Sequence, residues 1–201
     1  MILRLSKKIS SFLVNNGIVT KEDQEIYDYS FEVLLATIMN FLALYLIALV
    51  LDRVWETTMF IAAFIPLRSL AGGYHAKTHL RCLLVLLIIY ALVLIVVIFA
   101  PQSFFIFINI GSVFFSVFLV WFLSPVEDEN KPLTENEKKH FKFRSRIAVW
   151  VYAIIISAGT FLLPDRMEFL CLSLGILSVS LSLLAARIRN RIVQVNDGIS
   201  H

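Results

Sequence analysis

The sequence predicts an all-α polytopic membrane protein. Of its 201 residues, 59% are hydrophobic and only 16% are charged, whereas a soluble domain is about half apolar and a quarter charged. Six apolar segments follow a short amphipathic one, and we expect each to be helical because a helix satisfies its own backbone in lipid. The net charge of +3 is small, so we expect no nucleic-acid partner.

The first predicted element is a short basic helix lying in the headgroup layer. Apolar residues recur at helical spacing within residues 2–13, with basic residues and serines on the other side. Residues 15–17, Asn-Asn-Gly, end this helix, and Thr20 with Asp23 predicts a capping box for the next one. No uninterrupted signal-peptide core is present, so we expect residues 1–29 to be retained as an interfacial segment.

Residues 30–186 form the predicted six-span core of a single membrane domain, residues 1–201. The apolar segments are residues 31–51, 54–67, 83–100, 104–123, 147–163 and 169–186. Most approach the roughly 20 residues that a spanning helix requires, but the second is too short for a hydrocarbon core of about 30 Å. Either the bilayer thins there, or the chain continues at membrane depth without being regular helix.

Positive charge predicts the orientation of these spans. Of the 18 Lys and Arg residues, all but Arg53 and Arg166 fall in segments that a cytoplasmic N-terminus places inside. This bias favours six spans with both termini cytoplasmic, residues 187–201 forming a cytoplasmic tail. In the loop before the fifth span, Thr134 and Glu137 predict a cap for a short helix over residues 135–143.

Residues 68–82, RSLAGGYHAKTHLRC, are the candidate reaction centre. They contain two of the four histidines, one of the two cysteines and two of the seven glycines. Packing alone does not explain such a concentration between two apolar segments. We expect a non-helical or re-entrant break around residues 68–76, because glycines destabilise helix interiors.

Cys82 is the candidate nucleophile of this stretch. Arg68, Lys77 and Arg81 are close to it in sequence, and positive neighbours favour the reactive thiolate. The alternative is a buried cysteine that acts as a small apolar residue.

Two histidines could assist this thiol. His79, three residues before Cys82, would meet it on an intact helix. His75 is seven residues away, about 10.5 Å along a helix axis, so it can serve only if Gly72 and Gly73 keep it off the helix. Spacing alone favours His79.

A metal site and a transport module are the alternatives to an enzyme. His75, His79 and Cys82 have ligand types that suit zinc, but no fourth ligand and no HExxH glutamate lie nearby in sequence. In a non-enzymatic membrane transporter, the same stretch would form a re-entrant gate.

The stretch resembles the signature of the accessory gene regulator B family, AgrB-like membrane cysteine endopeptidases of peptide quorum sensing. The match covers Arg68, Ala71-Gly72-Gly73, His75-Ala76 and Cys82. The resemblance implies a catalytic pair of Cys82 and His75, with no cofactor or metal. It also implies a homodimer in the bacterial cell membrane that cleaves an AgrD-like propeptide into an acidic tail and a cyclic thiolactone or lactone.

The basic segment before the fifth span has two interpretations. It is a solvated loop obeying the positive-inside rule, or it holds the acidic tail of the propeptide together with Arg68. The candidate residues for this second role are Lys138, Lys139, Lys142, Arg144 and Arg146. We also expect the site to face the cytoplasm, and membrane lipids to surround the chain.

Overall fold

The computed structural model describes residues 2–73, 78–126 and 134–199, with His79 and residues 193–199 described by their backbone alone. Apart from one bridge pair, the described residues form no β-structure. The helices are α1 (Ile2–Asn15), α2 (Gln24–Val50), α3 (Val54–Ala71), α4 (His79–Phe99), α5 (Phe105–Leu123), α6 (Glu135–Leu162) and α7 (Met167–Ile199), with a 3-10 turn at Gln102–Phe104. The all-α prediction is confirmed.

Five helices within the described ranges are long and apolar enough to cross a membrane, namely α2, α4, α5, α6 and α7. The chain is therefore a polytopic helical membrane protein. Helix α3 corresponds to the short second segment and is not one of these five. The six-span count and the orientation stay predictions.

Residues 1–52 form one compact unit. Helix α1 packs along α2 through small residues, since Ser6 and Ser10 are its buried positions and Ser10 donates a hydrogen bond to Asp28 of α2. The predicted Thr20–Asp23 contact forms at 2.7 Å between the hydroxyl and the carboxylate. It lies in the turn just before α2, where Asp23 is the N-cap residue.

Residues 53–201 form the second unit, and α7 is its central helix. Helix α7 packs against α3, α4, α5 and α6. In its apolar 18-residue stretch 67% is buried, whereas the corresponding stretches of α4, α5 and α6 are 22–33% buried. Gly175 allows the closest approach, because a Cβ there would lie 2.9 Å from both the Phe60 carbonyl oxygen and Ala63. The small residues of α7 thus serve helix packing within the chain.

Two predicted boundaries are wrong. Helix α3 passes through Pro66 and Arg68 and ends only after Ala71, so residues 68–71 of the predicted break are helical. Its 18 residues correspond to about 27 Å at 1.5 Å per residue. Residues 74–76 of that break lie outside the described residues.

The second error concerns α6, which runs without a break from Glu135 to Leu162 and includes the segment predicted as a loop around Arg144 and Arg146. Its predicted Thr134–Glu137 capping box is present. Charged side chains can stay exposed on a helix, so they did not require a break before the apolar span.

Candidate functional site

Helix α3 ends at a glycine that no other residue could replace without strain. Gly72 has a φ of +81°, and the backbone N–H of Val126 donates to the carbonyl of the preceding Ala71 at 3.1 Å. A Cβ on Gly72 would overlap the Val126 carbonyl oxygen. Gly72 therefore both ends the helix and lets the segment after α5 approach it.

Gly73 is required for a different reason. Its φ is +146°, and a Cβ there would lie 2.7 Å from the Ser182 hydroxyl and 2.8 Å from the Arg68 guanidinium. Both glycines take backbone conformations that L-residues rarely adopt. The chain thus leaves α3 at the two glycines, before it reaches His75 in sequence.

Arg68 joins α3 to α7. From the last turn of α3, its guanidinium donates to Ser182 at 2.8 Å and lies 5.7 Å from the ring centroid of Phe64. Burial lowers the pKa of Arg68, while an electrostatic interaction with Cys82 raises it. A guanidinium is not deprotonated in folded proteins, so Arg68 keeps its positive charge.

Cys82 lies in the first turn of α4. The Thr78 hydroxyl caps this helix by accepting from Arg81 N–H at 3.3 Å, and Cys82 N–H makes the first intrahelical bond to Thr78 at 3.0 Å. The thiol is free and partly buried. The sulfur therefore lies at the N-terminal end of α4.

The histidines are described less fully than the cysteine. His79 begins α4, on the same helix as Cys82, while His75 and Lys77 lie outside the described residues. The choice between His75 and His79 therefore stays a prediction. Among the described residues, no three His, Cys, Asp or Glu side chains form a group that could hold a metal ion.

A basic cavity of about 630 Å³ opens beside this stretch, between α5, α6 and α7. Among its described lining residues, the charged ones are Glu135, Lys138, Lys139, Lys142, Arg187 and Arg191. Val126, which contacts Gly72, lines it too. A hydrogen bond of 2.7 Å between Ser124 and Ser145 holds the end of α5 against α6. The basic cavity thus adjoins the glycine pair.

The cations of α6 that were predicted to bind the acidic tail fall into two groups, those that line the basic cavity and those that do not. Lys138, Lys139 and Lys142 line it, whereas Arg144 and Arg146 do not. Arg187 and Arg191 of α7 were missed by the sequence analysis, although they share with Lys138 and Lys142 the four-residue spacing that puts two side chains on one helix face.

Comparison with known proteins identifies the family of the chain. The family model described as Accessory gene regulator B matches residues 6–183. The chain belongs to this family. An AgrB-like protein of Clostridium perfringens strain SM101 is 30% identical over 161 residues, covering 77% of this chain and 75% of that protein. An AgrB-like protein of Listeria monocytogenes serotype 4a is 27% identical over 164 residues, covering 80% and 77%.

No solved structure matches the chain. Membership of the AgrB family connects the protein to the agr quorum-sensing system and implies an AgrD-like substrate and association with the membrane. The resemblance seen in residues 68–82 is confirmed at the level of the family.

Proposed function

We propose that the protein is a membrane cysteine endopeptidase that removes the C-terminal tail of an AgrD-like propeptide. The observation that carries the proposal is Cys82, a free and partly buried thiol in the first turn of α4 that interacts electrostatically with Arg68. A thiol at a helix N-terminus beside a fixed cation is poised to act as a nucleophile. The AgrB family supplies the substrate class.

The reaction has two acyl transfers. His75 takes the proton of Cys82, the thiolate attacks the peptide carbonyl carbon, and the C–N bond breaks as His75 protonates the departing amine. The acyl group then remains on Cys82 as a thioester. A cysteine thiol, or a serine hydroxyl, within the propeptide attacks it, releasing a cyclic thiolactone or lactone and the Cys82 thiolate. The proton of the attacking group passes back to His75.

Arg68 acts in this proposal by holding positive charge near the Cys82 sulfur. The Ser182 hydroxyl fixes the guanidinium from α7 at 2.8 Å. Gly73 leaves the space that the guanidinium and the hydroxyl occupy. Arg68 and Gly73, which both match the family signature, therefore belong to one contact, the third member of which is Ser182.

The basic cavity would receive the acidic tail of the propeptide. Lys138, Lys139 and Lys142 of α6 meet Arg187 and Arg191 of α7 there, next to the Gly72 contact. Several cations around one opening attract an anionic peptide by their summed field. Arg144 and Arg146 belong to the predicted tail-binding set but lie outside this cavity.

The proposal includes six spans, with both termini and the site on the cytoplasmic side, and a homodimer. Placement of 16 of the 18 positive residues supports the orientation, since only Arg53 and Arg166 fall in the predicted outer segments. The AgrB family resemblance implies the dimer. Labelling of single cysteines introduced near Arg53 and near Lys139 with a membrane-impermeant maleimide would report which side each occupies.

Coexpression with the cognate propeptide tests the enzyme directly. We expect tail release by the wild type, none by Cys82→Ala or His75→Ala, and release by His79→Ala. Release surviving Cys82→Ala would refute a cysteine peptidase and favour the transport module. Loss in His79→Ala with retention in His75→Ala would reassign the base to His79. Inhibition of release by a chelator would favour the metal-site alternative.

A further inference from the structure

An apolar groove of about 340 Å³ lies between α5 and α6, apart from the basic cavity. Its lining includes Trp121 of α5 and Phe143, Arg146, Ile147, Trp150 and Ile154 of α6. Both helices are long and apolar enough to span the membrane, and the side chain of Ile154 is 65% exposed. This groove therefore faces the hydrocarbon of the bilayer rather than the protein interior.

Arg146 is the one charged residue among the described residues that line this groove. Its guanidinium donates to the Trp121 carbonyl at 2.8 Å and lies 4.1 Å from the centroid of the Trp121 ring. Its Nε is buried and has no hydrogen-bond partner among the described residues. A guanidinium carries five N–H donors, and charged donors of this kind favour an anionic acceptor.

Position along the helices places this guanidinium at headgroup depth. Arg146 is the last charged residue of α6, which continues as an apolar helix to Leu162. Trp121 is two residues before the end of α5. Arginine and tryptophan gather at the boundary between hydrocarbon and headgroups, where a lipid phosphate is within reach.

We propose that this groove binds one anionic phospholipid, with its phosphate at Arg146 and an acyl chain along Ile147, Trp150 and Ile154. A phospholipid has the same pattern as the groove, with charge at one end and hydrocarbon along the remainder. The planar guanidinium binds phosphate through parallel N–H bonds. A lipid of net negative charge is favoured over a zwitterionic one because the described lining contains Arg146 and no carboxylate that could pair with a cationic headgroup. Arg146 thus has a role separate from the tail-binding residues of the basic cavity.

Native mass spectrometry of the purified full chain tests the proposal, with phosphatidylglycerol and phosphatidylcholine supplied in equal amounts. We expect the wild type to retain one phosphatidylglycerol in preference to phosphatidylcholine. Arg146→Gln should lower this retention about tenfold, the effect of losing one charge-assisted contact. Arg144→Gln, which removes an exposed cation two residues away, should retain the lipid like the wild type. Equal retention by Arg146→Gln and wild type would overturn the proposal.

A second variant keeps the test decisive if Arg146→Gln does not fold. Ile154→Trp fills the groove at an exposed position, and it should reduce lipid retention without changing the oligomeric mass. A change in oligomeric mass with unchanged lipid retention would show that a second copy covers the groove, which overturns the proposal. Thermal unfolding supplies one more criterion, because phosphatidylglycerol should raise Tm and inorganic phosphate should not. An equal rise with inorganic phosphate would show a simple anion site and also overturn it.

Discussion

The two ends of the helical unit formed by residues 53–201 use polar side chains in opposite ways. At one end, the Asn109 amide donates to Thr160 at 2.9 Å and accepts from Ser173 at 2.7 Å, joining α5, α6 and α7. All three residues are buried, and they satisfy one another. This polar triad stabilises helix packing.

The other end directs its polar groups towards an opening. Arg68 bonds to Ser182 and lies near Cys82, and the basic cavity begins beside Gly72. Cations from α6 and α7 converge there, whereas the triad contains no charged residue. The difference separates polar residues that hold helices together from those that can meet a charged ligand, and it predicts different results for equivalent substitutions at the two ends.

The glycine substitutions should give the largest contrast. Gly72→Ala places a Cβ in the Val126 carbonyl and keeps a φ of +81° with a ψ of −152°, a region essentially restricted to glycine that costs about 1–3 kcal/mol from backbone strain alone. Gly111→Ala in α5 meets nothing within 4 Å and should be neutral or stabilising by up to about 1 kcal/mol. Tail release and thermal unfolding of both variants measure the contrast. Wild-type release by Gly72→Ala would show that the Gly72–Val126 contact is dispensable.

These glycines also show what sequence could predict. Gly72 and Gly73 predicted the end of a helix from residue type alone, and Thr134 with Glu137 predicted a cap that the structure contains. Such signals depend on neighbours in sequence, so one chain suffices to find them. Contacts between distant residues, such as the hydrogen bond of Arg68 to Ser182, 114 residues away, could not be found in this way.

The basic cavity could not be predicted from the sequence either, because it depends on how α5, α6 and α7 pack. Arg187 and Arg191 become candidate tail-binding residues because α7 lies beside the start of α6. Lys142 lines the basic cavity and Arg146 lines the apolar groove, although both belong to one short basic segment. The sequence predicted where positive charge is concentrated, but it could not predict which cation lines which surface.

Removal of the Arg68 charge should have the next largest effect. Arg68→Gln removes the positive charge that interacts electrostatically with Cys82. We expect alkylation of Cys82 by iodoacetamide at neutral pH, and tail release, to slow on the order of tenfold. Ser182→Ala should give a smaller decrease by loosening the guanidinium. Ser178→Ala is the control, because it removes a hydroxyl that donates to the Leu174 carbonyl of its own helix. Equal alkylation rates in all four proteins would show that Arg68 does not act on the thiol.

Charge reversal in the basic cavity should act mainly on binding. Lys142→Glu places a carboxylate among the cavity cations, and we expect KM for the propeptide to rise about tenfold, with kcat little changed. The effect should weaken at high salt because exposed charges are screened. Arg144→Glu makes the same charge change outside the cavity and should raise KM less. An equal rise in both variants would indicate a general surface field rather than tail binding in the cavity.

Substitution in the polar triad should affect stability and leave catalysis nearly unchanged. Asn109→Ala removes the amide that Thr160 and Ser173 share, so Thr160 loses this donor while Ser173 keeps its bond to the Leu170 carbonyl. The expected loss is about 0.6–2 kcal/mol in the free energy of unfolding, the range for hydrogen bonds between membrane helices. Chemical unfolding in detergent measures that loss, and tail release per folded molecule should stay at the wild-type rate. A fall in that rate without a loss of stability would mean that the two ends are coupled, because only a changed site could slow the reaction of a folded enzyme.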